Sequence, residues 1–152
     1  MTASTKALAS AIESKDAKAA KAAVADGADV CATNSVGVPL LCAAIEKKSK
    51  TIVKLLLKSG ADVKAKDRQG RAAIHYLAEF LRDTKILETV VQAGASLDEI
   101  DGVKFQGWAP LHHAVRFKKR DFAEALVKHG AKLDVKCAHE QETPLMHLLR
   151  TE

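Results

Sequence analysis

The amino-acid sequence predicts an all-α solenoid in which helix-turn-helix units are joined by short β-hairpin fingers. The first observation is a repeat, because four apolar, helix-like runs end in Gly-Ala pairs at steps of 33, 34 and 36 residues: Gly27-Ala28, Gly60-Ala61, Gly94-Ala95 and Gly130-Ala131. The second is the composition, 47% hydrophobic and 28% charged over 152 residues, which suits one globular domain. Such a period is typical of solenoids, whose units bury their apolar faces against their neighbours.

The second unit shows how one repeat is built. An apolar run from Ile52 to Leu57 is followed by Lys58 and Gly60. This pattern indicates a helix with a cation in its last turn and a glycine that ends it. Residues 62–70 alternate and end in turn formers, so they predict a finger before the next helix. Each unit therefore contains a finger, a helix, a turn and a second helix.

The first helix of each unit opens with a recurring motif, in Pro39-Leu40-Leu41-Cys42-Ala43-Ala44, Ala73-Ile74-His75-Tyr76-Leu77-Ala78, Pro110-Leu111-His112-His113-Ala114-Val115 and Thr143-Pro144-Leu145-Met146-His147-Leu148. These segments resemble the Thr-Pro-Leu-His-x-Ala signature of the ankyrin repeat family. The resemblance covers nearly the whole chain. It implies that His75 and His112 are structural histidines. Because Ala72 and Ala109 replace the signature threonine, we expect these two helices to begin less firmly capped.

The repeat divides the chain into one array, residues 1–152, with five parts. These are an N-terminal capping repeat at 1–32, repeat 2 at 33–65, repeat 3 at 66–99, repeat 4 with an extended finger at 100–135, and a partial C-terminal repeat at 136–152. The last part either caps the stack or begins a longer unit. We favour a cap, because Leu145, Leu148 and Leu149 offer apolar cover for the end of the stack.

Net charge and cysteine content limit the partners and the cellular compartment expected for the protein. The formal net charge is +5, which permits an acidic partner without requiring nucleic acid. The three cysteines form neither a disulfide framework nor a paired metal spacing, so they indicate a reducing compartment. The sequence carries no secretory apolar core and no run of membrane-spanning length. We therefore expect a cytoplasmic protein, with the nucleus as the alternative, and no membrane insertion.

The sequence lacks the motifs of an enzyme. It contains no phosphate-binding glycine loop, no Gly-x-Ser-x-Gly turn and no paired Cys or His ligands at metal spacing. Cys137 and His139 lie close together but have no two further ligands nearby. We therefore expect no catalytic residues, no cofactor and no metal, and a protein that is not an enzyme.

Large aromatic side chains at positions that do not build the repeat mark the expected binding surface. Trp108 follows the finger glycine Gly107, and Phe80 and Phe117 occupy equivalent inter-helix turns. The finger before Trp108 is longer than its counterpart in the preceding repeat and carries Phe105. Exposed apolar side chains on loops commonly serve binding. The predicted partner-binding residues are three anchors, a finger contact and three orienting cations: Trp108, Phe80, Phe117, Phe105, Arg71, Arg116 and Lys118.

Because ankyrin relatives bind proteins through their concave side, the resemblance implies an adapter, scaffold or regulatory subunit that holds another protein. The basic inter-helix turns suit a partner with an acidic segment, and we expect the array to be a monomer. Two alternatives stay open. Exposed rings and basic turns also suit single-stranded nucleic acid, and the same surface could block the site of an enzyme. A structural alternative is that the long finger folds back, so that Phe105 and Trp108 cover the neighbouring repeat instead of a partner.

Overall fold

The computed structural model describes residues 1–81, 83–102 and 107–150. For Arg150 it describes the backbone only. Within these ranges the chain forms nine α-helices: α1 Ala3–Glu13, α2 Ala17–Ala25, α3 Leu40–Glu46, α4 Lys50–Lys58, α5 Ala73–Phe80, α6 Thr84–Gln92, α7 Pro110–Arg116, α8 Arg120–Lys128 and α9 Pro144–Arg150. The only strand-like pairing in the described ranges is one antiparallel bridge, between Thr33 and Pro39. The all-α solenoid predicted from the repeat is confirmed.

The helices form two layers. The first helices of the units, α1, α3, α5, α7 and α9, pack side by side, and the second helices α2, α4, α6 and α8 form the other layer. Leucine, isoleucine and alanine side chains fill the space between the layers, as in Ile12, Leu56 and Leu77, which are almost fully buried. Tyr76 of α5 and Phe122 of α8 are also buried. Each unit thus supplies one side of an interior that its neighbour completes.

The inter-helix turns are alike in three units and different in one. Lys15, Lys48 and Lys118 each take the left-handed conformation, with φ of 58°, 58° and 52°. In the third unit three residues also separate the helices, but α5 is one residue longer than α3 and α7, and Leu81 after it is extended, with φ −124° and ψ 111°. The extra residue lets α5 continue to Phe80, whereas the equivalent Phe117 follows the end of α7.

The register expected for the second unit is wrong by one residue. Pro39 lies just before α3 in an extended conformation, where Ala109 lies before α7. The left-handed residues Lys48 and Lys118 stand at equal distances from Pro39 and Ala109, so they set the same register. Pro39 therefore aligns with Ala109 and not with Pro110. The physical reason is that Pro39 pairs with Thr33 across the finger, which holds it out of the helix.

The last helix leaves part of its apolar face in water. Of the three leucines expected to cover the end of the stack, Leu148 is half-buried, whereas Leu145 and Leu149 are 63% and 68% exposed. The buried face of α9 is turned towards α7, where Pro144 and His147 are covered.

Candidate protein-binding surface

An aspartate closes the base of the fingers in the third and fourth units. Asp67 Oδ1 accepts a hydrogen bond from the backbone N of Arg71 at 2.9 Å, and Asp101 Oδ1 accepts one from the backbone N of Trp108 at 2.8 Å. Each pair also forms a backbone hydrogen bond in the reverse direction, in which Asp67 N donates to Arg71 O and Asp101 N donates to Trp108 O. The two fingers therefore close in the same way, although the fourth is three residues longer.

In the third unit the finger aspartate joins a cluster of four polar side chains. Tyr76 donates its hydroxyl to Asp67 Oδ2 at 2.7 Å, and Arg71 Nε donates to the same oxygen at 3.0 Å. Arg71 also bonds to the Tyr76 hydroxyl at 2.9 Å, and its Nη1 lies 3.3 Å from Glu79 Oε2. The guanidinium carbon of Arg71 lies 4.5 Å from the centroid of the Tyr76 ring. Arg71 is thus held by two carboxylates and by the face of a tyrosine.

In the fourth unit a histidine takes the place of that tyrosine. His113 Nε2 lies 3.0 Å from Asp101 Oδ2, and both side chains are almost fully buried. The half-buried Trp108 ring makes edge contacts with the rings of His113, at 5.3 Å between centroids, and of His147, at 4.9 Å. Phe117 stacks on His113 at 6.4 Å with 15° between the ring planes. His113 therefore supports two of the predicted anchors at once.

The pKa values of these groups follow from burial and hydrogen bonding. Burial raises the pKa of both Asp67 and Asp101, but hydrogen bonds outweigh it and hold each pKa below its ordinary value. For Asp67 the donors include the backbone of Arg71 and the Tyr76 hydroxyl; for Asp101 they are His113 and the backbone of Trp108. Both aspartates are therefore ionised near neutral pH. Because Asp101 is ionised, His113 Nε2 carries the proton that it donates.

Comparison with known families decides the class of protein. The family described as "Ankyrin repeats (3 copies)" matches residues 7–101, and the family "Ankyrin repeat" matches residues 106–138. The chain belongs to the ankyrin repeat family. Ankyrin repeats are in general protein–protein interaction modules and are typically non-catalytic.

One curated relative is a regulatory protein. Over 70 of its residues, this chain is 33% identical to the phosphate system positive regulatory protein of Saccharomyces cerevisiae. The match covers 46% of this chain and 6% of the yeast protein, so it extends over a small part of that relative.

In the described part of the ankyrin array, no helix has the length and apolar character needed to cross a bilayer.

The two histidines of the ankyrin signature are packed and hydrogen-bonded, and they cap their own helices. His75 Nδ1 accepts from the backbone N of Ala72 at 3.2 Å, and its Nε2 bonds to the Glu99 carbonyl at 2.8 Å. His112 repeats the arrangement, with Ala109 N at 3.2 Å. The imidazole thus supplies the half of a capping box that comes from the third helical residue, whereas the N-cap alanine offers no side-chain acceptor in place of the missing threonine hydroxyl. Burial, together with the nearby His113, lowers the pKa of His75 to about 4.

The structure brings Phe117 and Phe80 together through one lysine. Phe117 is 41% exposed, and Phe80 is half-buried with its ring 5.7 Å from that of Tyr76. Lys119 Nζ donates to the carbonyl of Glu79, which precedes Phe80, and lies 5.6 Å from the Phe117 ring centroid. The end of α5, which carries Phe80, and the turn after α7, which carries Phe117, are therefore joined. We call Phe80, Trp108 and Phe117 the aromatic surface.

The predicted cations differ in their surroundings. Arg116 and Lys118 are exposed on either side of Phe117, as the sequence indicated. Arg71 is half-buried and its charge is already opposed by Asp67 and Glu79. The seventh predicted residue, Phe105, lies outside the described residues.

One group of possible metal ligands occurs among the described residues. Glu140, Glu142 and His147 place their ligand atoms within 4.8 Å of one another. His147 Nδ1 lies 3.4 Å from Glu142 Oε2, a contact between a histidine and a carboxylate, and Glu140 is exposed. Cys137 and His139 do not belong to the group.

Sequence reasoning missed the polar clusters beneath the aromatic surface. It assigned no role to His113, Asp67 or Asp101. A weak signal was available, because Asp67 precedes the finger glycine Gly70 by three residues and Asp101 precedes Gly107 by six, and aspartate commonly hydrogen-bonds the backbone of a turn. What the sequence did not reveal is which helical side chain would reach the second carboxylate oxygen.

Proposed function

We propose that this ankyrin array is a non-catalytic adapter, scaffold or regulatory subunit that holds a protein segment against the aromatic surface. The observation that carries the proposal is Phe117, whose ring is stacked on the buried His113 while 41% of the residue faces solvent. A ring held in place on one face and open on the other loses little conformational freedom when a partner covers it. A buried aromatic anchor contributes on the order of 2 kcal/mol or more to binding.

The surroundings of Phe117 favour a partner segment with acidic residues. Arg116 and Lys118 flank the ring on the surface. Cations at the rim of an interface speed association with an acidic partner and add less to affinity than the central anchor. Arg71 acts indirectly in this proposal, because its ion pair with Glu79 fixes the end of α5 that carries Phe80. Phe105, on the same long finger as Trp108, would add a contact at the finger.

Two findings bear on the alternative that Trp108 only covers its neighbour. Its ring contacts His147 of the next unit, and it is half-buried. Trp108 therefore serves the stack on one side, and in this proposal it offers only its remaining surface to a partner. Phe117 is then the principal anchor.

A comparative pull-down tests the proposal. Tagged wild-type protein is compared with Phe117→Ala and with Val127→Ala, a matched control whose side chain is 40% exposed on α8 in the other layer. Quantitative mass spectrometry measures each captured protein. We expect one or more partners to be lost with Phe117→Ala and retained with Val127→Ala. Equal retention of every partner by both variants would remove the aromatic surface as the binding site.

Single-stranded nucleic acid is the second candidate, since Phe117 between Arg116 and Lys118 also suits a stacked base between phosphates. The dependence of affinity on salt concentration distinguishes nucleic-acid binding from protein binding. Affinity for an oligonucleotide would fall steeply with rising salt, whereas a ring in a protein pocket depends on salt much less. An inhibitor that blocks an enzyme would use the same protein contact, and an activity assay of the captured partner distinguishes it from an adapter.

A further inference from the structure

The outer face of α4 carries an unbalanced row of lysines. Lys50, Lys54 and Lys58 are the first, fifth and ninth residues of this nine-residue helix, and all three are exposed. Side chains four residues apart lie on one face of a helix, about 6 Å from each other. Together with Thr51 and Leu55 they line a shallow groove of about 320 Å³. We call these three lysines the lysine row.

The equivalent helices of the other units do not carry such a row. The same three positions are Ala17, Lys21 and Ala25 in α2, and Thr84, Glu88 and Gln92 in α6. In α8 they are Arg120, Glu124 and Lys128, where Arg120 is paired with Glu124 at 2.9 Å. The groove between α6 and α8 is accordingly lined by both signs of charge. Position in the repeat therefore does not require lysine, and α4 is the only one of the four described second helices with a lysine at all three positions.

The lysine row is electrostatically unfavourable in the isolated chain. Like charges four residues apart repel each other on a helix, and Lys50 also stands in the first turn, where the helix dipole disfavours a cation. Asp83 Oδ2 lies 2.9 Å from Lys50 Nζ, and this ion pair offsets the repulsion at the N-terminal end of the row. Neither Lys54 nor Lys58 has an ion-pair partner within the described ranges 1–81, 83–102 and 107–150. An acidic ligand would remove the remaining repulsion.

We propose that the lysine row docks an acidic helical segment of a protein partner, separately from the aromatic surface. Glutamates four residues apart on such a segment have the same spacing as the lysines, over the roughly 12 Å that the row extends. The half-buried Leu55 between Lys54 and Lys58 offers an apolar contact at the centre. On the α6 side the positive surface ends at Glu88, which holds the central position, and on the α2 side the row contributes Lys21 alone, between Ala17 and Ala25. A flat anionic membrane or a nucleic-acid duplex requires a broader positive surface than this.

Fluorescence anisotropy with a defined probe tests the proposal. The probe is a short labelled helical peptide with a leucine face and glutamates four residues apart, and the matched peptide has glutamine at those positions. We expect wild-type protein to bind the glutamate peptide and not the glutamine peptide. The double variant Lys54→Glu, Lys58→Glu should weaken binding by about tenfold or more, whereas Lys128→Glu on α8 should change it little.

Three more measurements distinguish the lysine row from the aromatic surface, from a folding defect and from a membrane or nucleic-acid site. Phe117→Ala should leave peptide affinity unchanged, so this docking site and the aromatic surface can fail independently. The variant Lys54→Gln, Lys58→Gln, checked by circular dichroism, should keep its helical content while losing affinity. Equal binding by wild-type protein and the Lys54→Glu, Lys58→Glu variant would overturn the proposal. Tighter binding to phosphatidylserine vesicles or to a single-stranded oligonucleotide than to the peptide would also overturn it.

Discussion

Tyr76 and His113 occupy the same position in consecutive repeats, and each bonds to the aspartate at the base of its own finger. The Tyr76 hydroxyl lies 2.7 Å from Asp67 Oδ2, and His113 Nε2 lies 3.0 Å from Asp101 Oδ2. Both aspartates use their other oxygen to close the finger. A side chain of the first helix thus fixes the finger in each of these units. Whether that side chain is a tyrosine or a histidine determines which other side chains can pack against it.

Removing the Tyr76 hydroxyl should destabilise the protein. Tyr76→Phe leaves the buried Asp67 Oδ2 with Arg71 Nε as its remaining hydrogen-bond donor among the contacts described. We expect a loss of about 1 to 2 kcal/mol in the free energy of unfolding, measured by urea titration. A double-mutant cycle with Asp67→Asn isolates the contact. Additive effects in that cycle would show that the two side chains do not interact.

Stability should fall as the solution is acidified from neutral pH. His75 accepts a hydrogen bond at Nδ1 from Ala72 and has a pKa of about 4, against an ordinary value of 6.5 in the unfolded chain. The unfolded state therefore binds a proton first, so the stabilisation is present above about pH 6.5 and is lost as the pH falls towards 4. The loss from His75 is about 3 kcal/mol. Burial lowers the pKa of His112 as well, which acts in the same direction.

Urea titrations at several pH values between 7.5 and 4.5 measure this loss. The matched variant His75→Gln, whose side chain does not titrate, should show a smaller dependence on pH than the wild-type protein. The same slope in both proteins would contradict the assignment to His75. Asp67 and Asp101 have pKa values below their ordinary one, so their contribution is lost only at lower pH.

Trp108 and Phe117 should differ in what they contribute to stability. Trp108 makes edge contacts with His113 and His147 and is half-buried, so Trp108→Ala should cost about 1 to 2 kcal/mol of unfolding free energy. Phe117→Ala removes an exposed ring and should cost no more than about 0.5 kcal/mol. Thermal melts followed by circular dichroism compare the two. A larger loss from Phe117 would mean that its ring serves the fold.

Gly107 should tolerate alanine less well than Gly60. Both are left-handed, with φ of 62° and 83°, so alanine is strained at each, by about 1 kcal/mol. At Gly60 a Cβ would meet nothing among the described atoms within 4 Å. At Gly107 it would lie 2.7 Å from the backbone N of Ala138 and would overlap the Ala138 side chain. Gly107→Ala should therefore lose at least about 1 kcal/mol more than Gly60→Ala in a urea titration; equal losses would show that the neighbouring finger gives way.

Much of the candidate surface was accessible from the sequence, and part of it was not. The equivalence of Phe80 and Phe117 and the exposure of Arg116 and Lys118 follow from counting along the repeat. The pairing of Arg71 with Glu79 does not, because it depends on the side-chain directions at the end of α5. The contact between Trp108 and His147 joins residues 39 positions apart, in different units, and no local pattern encodes it.

The sequence by itself determined the class of fold. The spacing of glycines and apolar runs is a local property, and each unit repeats it, so one period predicted the helices and their order. The motif that opens the first helices carried the resemblance to the ankyrin family. Only the tertiary structure decided which polar side chains meet between units, why Pro39 stays outside its helix, and which rings remain in water. Those outcomes depend on how one repeat lies against the next, where burial makes an unpaired polar group costly and selects its partner.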